Sequence, residues 1–127
     1  PLPAPVLEPM QGGEANWEAI YDGMLEVVHG KRGTAKALAK GIRYQMAGKT
    51  GTAQVIGIAQ NAVYKEEEVD ERHRHHGLFI AFAPAEAPTI AVAIIVENGG
   101  GSSAASPIAR KVIDTWLFGE TDFEDPA

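Results

Sequence analysis

The chain has 127 residues, 45% hydrophobic and 22% charged, the balance of one folded domain with a modest core. Its formal net charge of -6 and a pI near 5.1 exclude the concentrated basic surface that nucleic-acid binding needs. The absence of cysteine excludes thiol chemistry, zinc-thiolate sites and disulfides, and no apolar run approaches the ~20 residues that cross a bilayer.

Residues 1–15 read as linker and turn. PLPAPVLEP places four prolines in nine residues, which favours extended backbone, and it has neither a basic start nor an apolar signal core. A start of this kind, without an initiating methionine, leads us to expect a piece of a longer protein. Asn16 is a candidate N-cap for a helix over 17–28. Trp17, Ile20, Tyr21, Met24, Leu25 and Val28 follow helical spacing on one stripe, so Trp17 and Met24 are expected in the core. His29-Gly30-Lys31-Arg32-Gly33 ends that helix, and Thr34 to Lys40 allows a short helical turn or two before Gly41.

A strand is expected within Tyr44 to Ile58, where small residues give way to the β-branched Val55, Ile56 and Ile58. Residues 60–76 read as a solvated excursion with a helical turn, carrying Glu66–Glu68 and then Arg72-His73-Arg74-His75-His76. The histidines invite a metal reading, because His73 and His75 are two apart. No carboxylate is placed to fix either ring, so a solvated face is preferred and no metal or other cofactor is expected.

Strands are predicted over 77–83 and 89–96, joined by the hairpin loop Pro84–Pro88. Both are apolar nearly throughout, which calls for cover on both faces of the sheet. The loop 97–103 is expected to be flexible, and its Gly99–Gly101 run either lines a cleft or joins two elements. Ser106 is read as the cap of a final helix with Pro107 at its first position, bearing Ile108, Val112, Ile113, Trp116 and Leu117 on one face. Trp116 and Phe118 are read as core contacts with the sheet. Residues 119–127 form an acidic tail expected to be disordered. The order gives an α+β fold, an antiparallel sheet flanked by helices. Two helices are too few to cover both faces of strands so apolar, so a further covering segment is expected.

GKTGTAQV, residues 48–55, carries the chemistry. As a phosphate loop it fails: Arg43 stands where the first glycine of G-x-x-x-x-G-K-[ST] belongs, and Thr50 continues into a strand instead of a helix. As the edge strand of an acyl-transfer site it is coherent. An edge offers free N–H and C=O groups to a peptide-like substrate, and Lys49 supplies a fixed positive charge. Thr50 and Thr52 present hydroxyls to a carboxylate, Gly51 keeps the wall low, and the Thr52 amide can donate to a developing oxyanion. Alternation sends Lys49 and Thr50 to opposite faces, so a shared cleft requires the strand to twist there.

K-T-G also belongs with S-x-x-K and S-D-N in the penicillin-binding proteins. NWEAIYDGMLEVVHGKRGTA, MAGKTGTAQV, HGLFIAFAP, AVAIIVENGG and SPIARKVIDTWL follow in that family's order. On these segments, residues 16–118 resemble the C-terminal part of a penicillin-binding protein transpeptidase domain, a fold shared with serine β-lactamases. The likeness is greatest to the class B, elongation-specific type, penicillin-binding protein 2.

The resemblance implies a peptidoglycan D,D-transpeptidase or carboxypeptidase in which a serine attacks the D-Ala-D-Ala end of a stem peptide. The acyl-enzyme is then cross-linked to a neighbouring stem. It implies that Lys49 hydrogen-bonds the S-x-N serine and assists proton transfer, while Thr50 and Thr52 bind the substrate or β-lactam carboxylate. Gly51 and the strand backbone line the site, and the Thr52 amide forms half of the oxyanion hole. It also implies a membrane-anchored periplasmic protein and a glycan-polymerising membrane partner.

The departure from the family pattern is plain. Neither S-x-x-K nor S-x-N lies upstream of Lys49, and Ser102, Ser103 and Ser106 all follow it. The chain alone is therefore expected to be inactive, with the remaining motifs on the remainder of its parent domain, cut in a loop before Pro1. A serine β-lactamase fragment and a non-catalytic binding module of the same fold are the alternatives.

Overall fold

The computed structural model describes residues 10–55, 63 and 70–125. The prolines of the N-terminal linker, Ile56, Ile58 and the Glu66–Glu68 run lie outside them. Helix α1 runs Glu14–His29 and helix α2 runs Ser106–Phe118, with strands β1 Ala47–Ala53, β2 His76–Ala83 and β3 Ile90–Val96 between them. Short 3-10 turns occupy Lys36–Ala39, Glu71–His73 and Ser102–Ala104. The strands form one antiparallel sheet in the order β1-β2-β3. The α+β fold, the turn after α1 and the 84–88 hairpin thus follow the sequence reading.

Register decides which side chains share a face. Phe79 pairs with Thr50 and Ile94, Ala81 with Gly48 and Val92, and Gly77 with Thr52 and Val96. On this face Phe79, Ala81 and Ala83 are buried and meet Val28, Leu38, Met46, Ala109 and Ile113 in one cluster. Among the described residues the two helices do not cover both faces, in line with the need for a further covering segment. The opposite face leaves Ile80 50% and Ile95 65% exposed, and α1 reaches it at Tyr21, whose ring centre lies 6.3 Å from that of Phe82.

Both helices depart from their predicted detail. Asn16 is not the N-cap of α1: Gly13 holds that position, and the Asn16 amide donates back to the Gly12 carbonyl from within the first turn. The stripe is buried only at its C-terminal end, with Val28 at 0% and Trp17 at 40% exposure, so Trp17 is not a core residue. In α2, Ser106 makes no side-chain cap and lies inside the helix. Its buried face is Ala109, Arg110, Ile113 and Asp114, while Ile108, Val112 and Trp116 are exposed. Trp116 reaches Thr89 Oγ1 through its indole N–H. Phe118 packs against Tyr44 and under the Arg43 guanidinium at the surface, so neither aromatic is a core contact.

A buried ion pair explains the rotated face. Arg110 and Asp114, one helical turn apart, are 2% and 1% exposed, and Arg110 Nε donates to both carboxylate oxygens at 2.8 and 2.9 Å. The Tyr44 hydroxyl donates to Asp114 Oδ1 at 2.6 Å and Thr121 Oγ1 donates to Oδ2 at 3.1 Å. Arg110 Nη1 donates to the Leu38 carbonyl, and its guanidinium lies 4.9 Å from the Phe123 ring centre. Phe123 is 8% exposed and Lys111 pairs with Asp125. The expected disordered tail is therefore packed against α2 across its described part.

Burial, and then the hydrogen bond and charge of Asp114, hold the Tyr44 phenol protonated, well above its ordinary pKa of 10. An unfolded tyrosine releases its proton near pH 10 while the folded one keeps it, so this contribution is complete below about pH 10 and is lost as pH rises further. We expect urea unfolding to show the stabilities of wild type and Tyr44→Phe converging above about pH 10. Curves that stay parallel from neutral pH upward would contradict the assignment.

Candidate active-site wall

Strand β1 is an edge of the described sheet, pairing with β2 alone. Its four candidate residues alternate as the sequence reading required. Lys49 lies opposite Ile80 and Gly51 opposite Leu78 on the outer face, while Thr50 lies opposite Phe79 and Thr52 opposite Gly77 on the core side. Lys49 is exposed, and its ammonium curls back to donate to the Thr50 carbonyl at 2.7 Å. A flexible side chain thereby brings the charge beside Thr50, although the two residues face opposite ways. Thr52 is exposed and Thr50 half-buried. A Cβ on Gly51 would sit 3.3 Å from the Leu78 Cβ, so glycine keeps the wall low and fits its neighbour.

The strand is positioned from both helices. Met46 is fully buried, and its N–H donates at 3.0 Å to His29 Nε2, at the C-terminal end of α1. One residue earlier, the Gln45 carbonyl accepts from Ala85 N–H at 2.8 Å. Tyr44 is tied to Asp114 on α2. Thr34, on the turn after α1, lies with its Oγ1 3.0 Å from Thr50 Oγ1. Sequence reasoning missed both His29 and Thr34. They lie 17 and 16 residues from their partners, and the only signal was the Gly33-Thr34-Ala35 turn beside the K-T-G segment.

The glycine run after β3 packs against the end of the wall. A Cβ on Gly77 would collide with the Gly101 carbonyl, so the two backbones touch at the residue paired with Thr52. Gly100 N–H donates to the His75 carbonyl at 2.9 Å, and Asn98 N–H donates to His76 Nδ1 at 2.9 Å. His75 is 6% exposed, which corrects the solvated reading of the histidine cluster; His73 remains exposed. Among the described residues, no group of three or more histidine, aspartate or glutamate side chains is placed to hold a metal ion.

What this arrangement offers is a cation, two hydroxyls and a strand edge. Two of the three Ser/Thr hydroxyls that precede β2 in the described chain, Thr34 and Thr50, touch each other. We expect His29→Ala to leave the buried Met46 N–H without its acceptor and to cost about 1–3 kcal/mol. Denaturant unfolding measures this, and an unchanged midpoint would show that the contact contributes nothing.

The family described as penicillin binding protein transpeptidase domain matches residues 13–114. The peptidoglycan D,D-transpeptidase MrdA of Escherichia coli is 40% identical over 111 residues, 87% of this chain. Its counterpart in Acinetobacter baumannii is 44% identical over 107 residues, 84% of this chain. The chain spans 18% and 16% of the length of those two relatives. Among solved structures, Pseudomonas aeruginosa PBP2 in complex with WCK 5153 superposes with a TM-score of 0.73 at 40% identity, covering 99% of this chain and 26% of that one. The Helicobacter pylori PBP2 in complex with MreC gives 0.61 at 32% identity, covering 80% of this chain and 17% of that one.

Proposed function

This chain belongs to the penicillin-binding protein transpeptidase domain family, and we propose that it forms the substrate-facing wall of a peptidoglycan D,D-transpeptidase. In this reading the folded part, from the start of α1 at Glu14 to the end of α2 at Phe118, is the C-terminal portion of the catalytic domain. The observation that carries this reading is the edge position of β1, which leaves the outer side of Lys49–Thr52 without a strand partner among the described residues.

In this reading the stem peptide lies along β1 as an added strand, its acyl-side amide pairing with the open edge. The carboxylate of the terminal D-Ala, or of a β-lactam, accepts hydrogen bonds from Thr50 and Thr52. Lys49 orients the S-x-N serine and eases proton transfer from the nucleophile. The Thr52 N–H donates to the oxyanion as the scissile carbonyl becomes tetrahedral. The nucleophile and the S-x-N serine come from the parent protein outside this sequence.

The parent works on the periplasmic side of the inner membrane in cell elongation, with a glycan-polymerising partner. The Helicobacter pylori relative in complex with MreC supports assembly of this general kind. The relatives named above are transpeptidases, which supports acyl transfer over β-lactamase hydrolysis.

Fluorescent penicillin labelling of the parent protein tests this. We expect one covalent label on a peptide outside these 127 residues. Lys49→Ala should slow labelling by about 10²–10⁴ without shifting the melting temperature. Label on Ser102, Ser103 or Ser106 would contradict the proposal, and no label on the intact parent would favour a binding module.

A further inference from the structure

We propose that Thr34 is a positioning residue of this wall, fixing the hydroxyl of Thr50 so that its proton points to the substrate carboxylate. The proposal rests on the function proposed above and extends it to a residue outside the K-T-G strand. A hydroxyl has one proton to donate and two lone pairs. With the two Oγ1 atoms 3.0 Å apart, either can donate. When an anion arrives beside Thr50, one order satisfies all three groups: Thr34 donates to Thr50, and Thr50 donates to the carboxylate. The reverse order spends the Thr50 proton on Thr34 and turns lone pairs towards the anion. Aligned donors in series also polarise one another.

The backbone beneath Thr34 is built to hold it still. Gly33 N–H donates to the Gly30 carbonyl at 3.0 Å and Ala35 N–H donates to the Val27 carbonyl at 2.9 Å, which fastens the turn to the end of α1 on both sides of Thr34. Gly33 lies so close to that helix end that a Cβ would collide with the Glu26 and Val27 carbonyls. Ala35 is 5% exposed. The side chain itself has room, because Thr34 borders cavities of about 380 Å³ and 230 Å³. The hydrogen bond to Thr50 therefore acts together with the rotamer preference of a β-branched side chain to fix the hydroxyl. Valine, which has threonine's shape without the hydroxyl, removes that bond and little else.

The experiment compares second-order acylation rates of the parent protein by benzylpenicillin, which carries the carboxylate, and by benzylpenicillin methyl ester, which does not. We expect Thr34→Val to slow acylation by the acid about tenfold and by the ester less than about twofold. Thr34→Ser keeps the hydroxyl but loses the methyl that restricts its rotamer, and should fall within about threefold of wild type with the acid. Equal slowing with acid and ester, or no slowing with either, would overturn the proposal. If the valine variant folds poorly, the acid-to-ester ratio in Thr34→Ala separates the same outcomes. A wild-type parent that neither compound acylates would overturn the function itself, and this outcome is separately visible because it needs no variant.

Discussion

The fold turns on the Arg110–Asp114 pair. Two charges with 2% and 1% exposure carry a desolvation penalty of several kcal/mol each, and it is offset only when every valence around them is used. Here much of that requirement is met: Asp114 accepts from Arg110, Tyr44 and Thr121, and Arg110 Nη1 donates to the carbonyl of Leu38 in the 3-10 turn. The pair thus joins α2, the segment 38–44 and the chain after Gly119 at one point. Removing either partner would strand the other in the core, so these elements are fixed relative to one another in an all-or-none way.

That fixed point is passed on to the candidate site through Tyr44, two residues before Met46 and five before Lys49. Met46 receives a second tether from His29, so the strand is set by both helices before it reaches its functional residues. Beyond Ala47 the strand's backbone pairs with β2 on one side only, while the Thr34 hydroxyl meets that of Thr50. Rigid support behind an open edge is what an acyl-transfer wall requires, because preorganised donors act without reorganising as charge develops. The placement of Thr34 continues the same logic from strand to side chain.

How much of this the sequence disclosed follows from the range of each interaction. Strands β2 and β3 were legible because apolar runs, aromatic in β2 and β-branched in β3, bounded by Pro84 and Pro88 have few other solutions. A strand within 44–58 was legible from small and β-branched residues and its alternation from the period of two, while the roles of its residues came from likeness to a family; the strand itself is Ala47–Ala53. The buried face of α2 was legible only in part: of the predicted residues Ile113 is buried and Leu117 packs on the core, but periodicity also points to the exposed Ile108, Val112 and Trp116 and cannot foresee a buried Arg–Asp pair. Phe123 was lost for a similar reason: within an acidic stretch it reads as tail, yet its ring meets Arg110 in the core. His29 and Thr34 were hidden because a residue's partner 17 or 16 positions away leaves no local signature.

The most direct measurement is a crystal structure of the parent protein acylated by benzylpenicillin. We expect the drug's carboxylate within hydrogen-bond distance of the Thr50 and Thr52 hydroxyls, its carbonyl oxygen on the Thr52 N–H, and its side-chain amide paired with the open edge of β1. A β-lactam bound with its carboxylate away from β1, or a parent in which another strand covers that edge, would contradict the assignment of this strand as the substrate-facing wall.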